Sequence, residues 1–224
     1  MSLTSVYVFL LGLASGITLL TITSYRRVSP PWLKRLLVVA GLLVMSRYLT
    51  MVLFTSHEAP ERFWALRHCW FATSIGLMVP SVFAVDQLLR DPRMSPKRLL
   101  IWCSPFLIAY GLVMLFGGMT PMPDRVAGWT PRLSPGWQAL LSLTTGTFLV
   151  GFIGMCAVLV RKIPSHRLQL ALLGLAAGQG ALGFDGLLLA FGGWYFRPFL
   201  YTEMATLLAI WHAYETSAAL QQGS

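Results

Sequence analysis

Seven apolar runs follow one another along this chain, joined by short links rich in proline and basic residues, and that pattern leaves little freedom of fold. The runs cover about 6–25, 36–54, 69–89, 99–116, 137–160, 168–191 and 199–214. Each approaches the roughly 20 residues a helix needs to cross a hydrocarbon core of about 30 Å. In hydrocarbon every backbone N–H and C=O must be satisfied within the structure, so a run of this kind folds as a helix. The expected fold is therefore all-α: a polytopic membrane bundle of seven transmembrane helices forming a single domain over 1–224, with the lipid bilayer as its solvent. Composition agrees, since 56% of the residues are apolar and 11% are charged, against roughly 25% charged in a soluble domain.

The charged residues orient the bundle. Arg26, Arg27, Lys34, Arg35, Arg90, Arg93, Lys97, Arg98, Arg161, Lys162 and Arg167 occupy the first, third and fifth links. The alternate links and the segment before the last run hold only Arg62, Arg67, Arg125, Arg132 and Arg197. Cytoplasmic loops are the basic ones, so the N-terminus is expected outside and the C-terminus in the cytoplasm, in the cell membrane. The first run has no basic residue before it and Arg26-Arg27 after it, the reverse of a secretory signal peptide, and reads as an uncleaved helix. A net charge of +9 spread over such loops fits attraction to anionic lipid, and nucleic acid is not an expected partner.

Proline at 121, 123, 131 and 135 rules out a regular helix over 117–136; with Trp129 and Trp137 the segment is expected to cap the outer surface or to serve as a spacer. Cys69, Cys103 and Cys156 are isolated within apolar runs and read as small buried hydrophobes. Gly174 and Gly178, with further glycines on the fifth and sixth helices, form small-residue faces suited to close helix packing. Asp86 precedes Arg90 by four residues, the spacing of a surface ion pair.

Ionisable residues within spans are costly and mark sites. Arg47 lies seven residues before the outer end of the second helix, Asp185 six before that of the sixth, and Glu203 five beyond Pro198 at the start of the seventh. At 1.5 Å per residue all three sit about 10 Å below the outer surface. One cation and two carboxylates at one depth imply a polar site in the outer half, in which one carboxyl carries a proton or a cation completes the balance, or else an ion pair that merely pins helices. His68 and Trp70, near the start of the third helix, and Arg197 and Tyr201, near that of the seventh, are expected to line its mouth.

No HExxH, nucleophile elbow, phosphate-binding loop or converging histidines occur. The sequence points to no cofactor, no metal and no catalytic residue, and leans away from an enzyme.

Several local patterns resemble the N-terminal seven-transmembrane sensor region of bacterial histidine kinases. They are Gly76-Leu-Met-Val-Pro80 followed by Phe83, Arg98 with Pro105 early in the fourth helix, the proline-rich outer loop, Gly136-Trp137 opening the fifth helix, and Arg167-Leu-Gln169 opening the sixth. About ten residues follow the last run, leaving no room in this chain for an output domain. The resemblance implies a sensor-like bundle that binds a small extracellular ligand or ion and signals through a separate cytoplasmic or membrane partner. The alternatives are a small transporter or accessory permease coupled to protons or cations through its carboxylates, and a membrane enzyme acting on lipid.

Overall fold

A computed structural model describes residues 3–55, 64–89, 95–190 and 200–222. It is all-helical apart from one hairpin. The described helices are α1 (Leu3–Ser24), α2 (Pro31–Phe54), α3 (Thr73–Leu89), α4 (Pro96–Phe116), α5 (Pro135–Lys162), α6 (His166–Ala190) and α7 (Leu200–Gln222). Five segments, Leu3–Arg27, Pro31–Phe54, Trp64–Leu89, Pro96–Phe116 and Pro135–Lys162, are long and apolar enough to cross a membrane. α6 and α7, at 25 and 23 residues, are of comparable length but carry Gln169, Gln179 and Asp185, and Glu203, His212 and Glu215.

Prolines mark three helix starts. Pro31, Pro96 and Pro135 each occupy the first turn, where a missing N–H costs no hydrogen bond. Ser95 caps α4 by accepting from the Arg98 N–H at 3.3 Å. Pro31 starts α2 five residues earlier than apolarity indicates, because Trp32, Lys34 and Arg35 are good enough helix formers to extend it. α7 runs eight residues past its apolar run, through Ser217 and Gln221. The third run begins as a 3-10 segment, Trp64–Phe71, and becomes α-helical only at Thr73.

The proline-rich connection, expected as a cap or a spacer and as anything but a regular helix, is a β-hairpin. Strand β1 (Met119–Asp124) pairs antiparallel with β2 (Gly128–Leu133), Pro121 facing Pro131 and Pro123 facing Trp129. In a sheet of two strands both are edges, and an edge tolerates proline. Asp124 Oδ1 closes the turn by accepting from the N–H groups of Val126 and Ala127 at 2.8 and 3.0 Å. Gly128, at φ 72°, lies against the Phe54 carbonyl where a Cβ would collide, and so seats the hairpin on the end of α2.

Helices α1, α2, α3 and α7 form a square, each packed on the next around the ring, with α2 and α7 on one diagonal. α6 packs on α7 and α5, while α4 is held by α3 and α5. One continuous core draws side chains from all seven helices, among them Leu11, Leu37, Phe83, Cys156, Leu172 and Leu207. The exterior is apolar as well: Phe9, Trp102, Leu115 and Val150 are 65, 78, 76 and 74% exposed. A surface of that kind calls for an apolar solvent. Tyr25 at the end of α1 meets Tyr214 edge to face, centroids 4.9 Å apart, and Ser217 donates to the Gln87 carbonyl at 2.8 Å. The C-terminal parts of α1, α3 and α7 therefore share one end with the basic links, and the hairpin lies at the other.

Candidate functional site

Across the diagonal of the square, Arg47 on α2 forms an ion pair with Glu203 on α7. The residues are 5 and 1% exposed. A diagonal is the long way across four helices, and arginine and glutamate are the side chains long enough to meet over it. Arg47 Nη1 donates both to Glu203 Oε1 and to Thr73 Oγ1, the latter at 2.5 Å. The Tyr48 hydroxyl donates to Glu203 Oε2 at 3.1 Å. Tyr7 on α1 lies within electrostatic reach of the guanidinium, so every corner of the square contributes a polar group. Removing two charges from water costs several kcal/mol each, and attraction offsets this only when the remaining lone pairs and protons are bonded. Both Glu203 oxygens are. Arg47 Nε is not: it is buried with no hydrogen-bond partner among the described residues.

The hairpin end closes over this centre. Phe54, two turns beyond Arg47 on α2, stacks between Trp64 at 6.5 Å and Trp70 at 5.8 Å. Arg67 lies over the Trp64 ring at 5.5 Å and donates to the Trp64 carbonyl at 2.8 Å. Trp70 is thus part of an aromatic cluster with Phe54 and Trp64, and His68 is half-buried in the same segment.

The other expected members separate from the pair. Asp185 is half-buried and accepts from the Thr202 hydroxyl at 2.7 Å, which places it in the α6–α7 seam. Equal depth did not mean equal azimuth: Thr202 and Glu203 are about 100° apart around α7. Tyr201 is 50% exposed, on the outward face with Ala205 and Leu208, about 200° around the helix from Glu203. It does not face the pair. Arg197 lies outside the described residues. Asp86, expected on the surface, is buried at 9% exposure, and Arg90 lies outside the described residues.

A second polar line runs down α3. Pro80 has no N–H and leaves the Gly76 carbonyl without its helical donor. Neighbouring helices bind the backbone around that break: Gln179 on α6 donates to the Leu77 carbonyl at 3.2 Å and to Ser81 Oγ at 2.9 Å, and Tyr214 on α7 donates to the Pro80 carbonyl at 3.0 Å. Polar neighbours of this kind are what allow a proline in a buried membrane helix. Among the described residues no three His, Cys, Asp or Glu side chains come together as a metal site requires.

Tyr48, Thr73, Tyr7, Gln179 and Tyr214 were not singled out from sequence. Hydroxyls are common in membrane helices, and only the adjacency of Tyr48 to Arg47 carried a signal. Comparison with known protein families, curated proteins and solved structures finds no match to this chain.

Proposed function

We propose that the chain is a seven-helix protein of the cell membrane, N-terminus outside, that binds a small ligand or ion in its outer half at the Arg47–Glu203 centre. It passes the bound state to a separate partner, as its likeness to the sensor regions of histidine kinases implies. The observation that carries this reading is the Nε of Arg47, which has no acceptor among the described residues: a buried donor without an acceptor is a standing cost of about 1–3 kcal/mol, relieved by a ligand that supplies one.

The placement of charge supports the orientation. Lys34, Lys97, Arg98 and Arg167 sit in the first turns of α2, α4 and α6, where the helix dipole disfavours cations by about 0.3–1 kcal/mol each. Their presence there against that preference is what a demand for basic residues on the cytoplasmic side produces. α7 supports the route of transmission, since it holds Glu203 near one end and Tyr214 and Ser217 against α3 near the other.

The test is a thermal-shift screen of the purified protein against extracellular small molecules and ions. A compound that raises Tm for the parent chain and leaves a folded Arg47→Ala variant unmoved supports the reading. Proton or cation flux in proteoliposomes, abolished by Glu203→Gln, would replace it with a transporter.

A further inference from the structure

The Arg47 centre is roofed at the hairpin end by the Phe54, Trp64 and Trp70 rings. A groove reaches the same depth from the side, between α3, α4 and α5. Its walls are mostly apolar, with Ile75, Met78, Phe106, Leu107 and Phe148 among them; Ser74 and Tyr110 are polar, as are Thr144 and Thr145 on α5, where the Thr144 hydroxyl is spent on the Leu140 and Leu141 carbonyls of its own helix. Ser74 is the neighbour of Thr73, which Arg47 holds, and Tyr110 lies within electrostatic reach of the Arg47 guanidinium. Tyr110 is seven residues before Gly117 at the end of α4, about 10 Å down, level with Arg47.

The groove is nearly closed. Its cavity volume is about 20 Å³, room for the centre of one water molecule. α4 is the wall with the fewest anchors: only Leu99, Cys103, Val113 and Met114 of its 21 residues are buried, and Pro105 interrupts its hydrogen bonding.

Resting on the reading that Arg47–Glu203 is a ligand centre, we infer that its ligand is a bilayer-soluble molecule with an apolar body and a neutral carbonyl. The ligand enters sideways past α4, lays its body in the groove and turns its oxygen to the Tyr110–Arg47 end. Three features select this chemistry. The walls match an apolar body. Tyr110 supplies a donor in the lining, and Arg47, within electrostatic reach of Tyr110 though not itself in the lining, keeps an Nε without an acceptor among the described residues. The charge of Arg47 is already matched by Glu203, so a ligand carboxylate would bring an uncompensated negative charge into a dry interior, whereas a ketone, quinone or ester oxygen would not.

Cys103 lines the groove and serves as the reporter. The full chain with Cys69→Ala and Cys156→Ala is purified, and the rate of N-ethylmaleimide labelling at Cys103 is measured with 2-tridecanone, tridecanoate or tridecane at equal concentration in the micelle. The ketone is expected to slow labelling at least fivefold, and the acid and the alkane less than twofold. Tyr110→Phe is expected to weaken the ketone's protection several-fold; Arg47→Met with Glu203→Met, which leaves no unpaired charge, is expected to remove it. Equal protection by all three probes would overturn the inference, assigning the groove to any acyl chain. No protection by the ketone, alongside a water-soluble compound that raises Tm through Arg47, would overturn it while leaving the ligand centre in place.

Discussion

The Tyr48 hydroxyl holds one oxygen of Glu203 at 3.1 Å while its neighbour Arg47 holds the other. Two adjacent residues of α2 thus bond both oxygens of a carboxylate that belongs to the diagonally opposite helix. Breaking a buried pair by removing one partner costs about 3–5 kcal/mol, because the survivor stays charged and alone. Arg47→Met is expected to lose stability on that scale. Tyr48→Phe, which removes one hydrogen bond to a charged group, is expected to lose about 1.5–3 kcal/mol. Reversible unfolding in mixed micelles gives both values; equal losses would mean that the cation is not what holds Glu203.

The break in α3 at Pro80 makes Gln179 a structural residue. Gln179→Leu removes the donor to Leu77 and Ser81, and hydrogen bonds between membrane helices are worth about 0.6 kcal/mol on average and about 1.7 at most. A loss near the upper value is expected, because Gln179 makes two bonds beside a proline. Pro80→Ala restores the N–H for the Gly76 carbonyl, and the loss caused by Gln179→Leu should shrink in that background. An unchanged loss would separate Gln179 from the proline.

Glycines on the fifth and sixth helices are not equivalent. A Cβ on Gly178 would stand 3.0 Å from Thr206 Cα, backbone that has nowhere to go, whereas one on Gly154 meets nothing within 4 Å. Gly178→Val is expected to cost about 1–3 kcal/mol as overpacking, and Gly154→Val to be tolerated. Thermal unfolding of the two variants decides it; similar Tm values would mean that α6 and α7 are not in close contact.

Much of the fold was legible before the structure, and the reason is physical. Hydrocarbon forbids unpaired backbone, so seven apolar runs announce seven helices, and Arg47 and Glu203 announce themselves by being charged there. What stayed hidden depends on azimuth and on partners far away in sequence. Arg47, Asp185 and Glu203 share a depth, but nothing in a one-dimensional pattern says that α2 and α7 face each other across a square while Asp185 turns to Thr202. Tyr201 shows the same limit, two residues from Glu203 and on the other side of the helix. The hairpin was missed because proline argues against strands in general, and the exemption for edges matters only once the sheet is known to have two strands. Tyr48, Gln179 and Tyr214 look like ordinary membrane-helix polar residues until the helices they reach are known.

Orientation has its own check. Single cysteines at Thr120 on the hairpin and at Ser165 between α5 and α6, in a chain with Cys69, Cys103 and Cys156 replaced, are treated in intact cells with a membrane-impermeant maleimide. The Thr120→Cys site is expected to label at least tenfold faster, with Ser165→Cys reacting only after the cells are opened. The reverse pattern would turn the bundle over.

The most direct test of the account uses Arg47→Met and Glu203→Met together. Replacing a buried ion pair by apolar side chains of similar volume is often neutral or stabilising, so the double variant separates holding the helices from binding. With a compound that raises the Tm of the parent chain, the account predicts that the double variant unfolds within a few degrees of the parent and that its Tm no longer responds to the compound. A double variant that is equally stable and still shifts by the parent amount would contradict it, leaving the pair as a strut between α2 and α7.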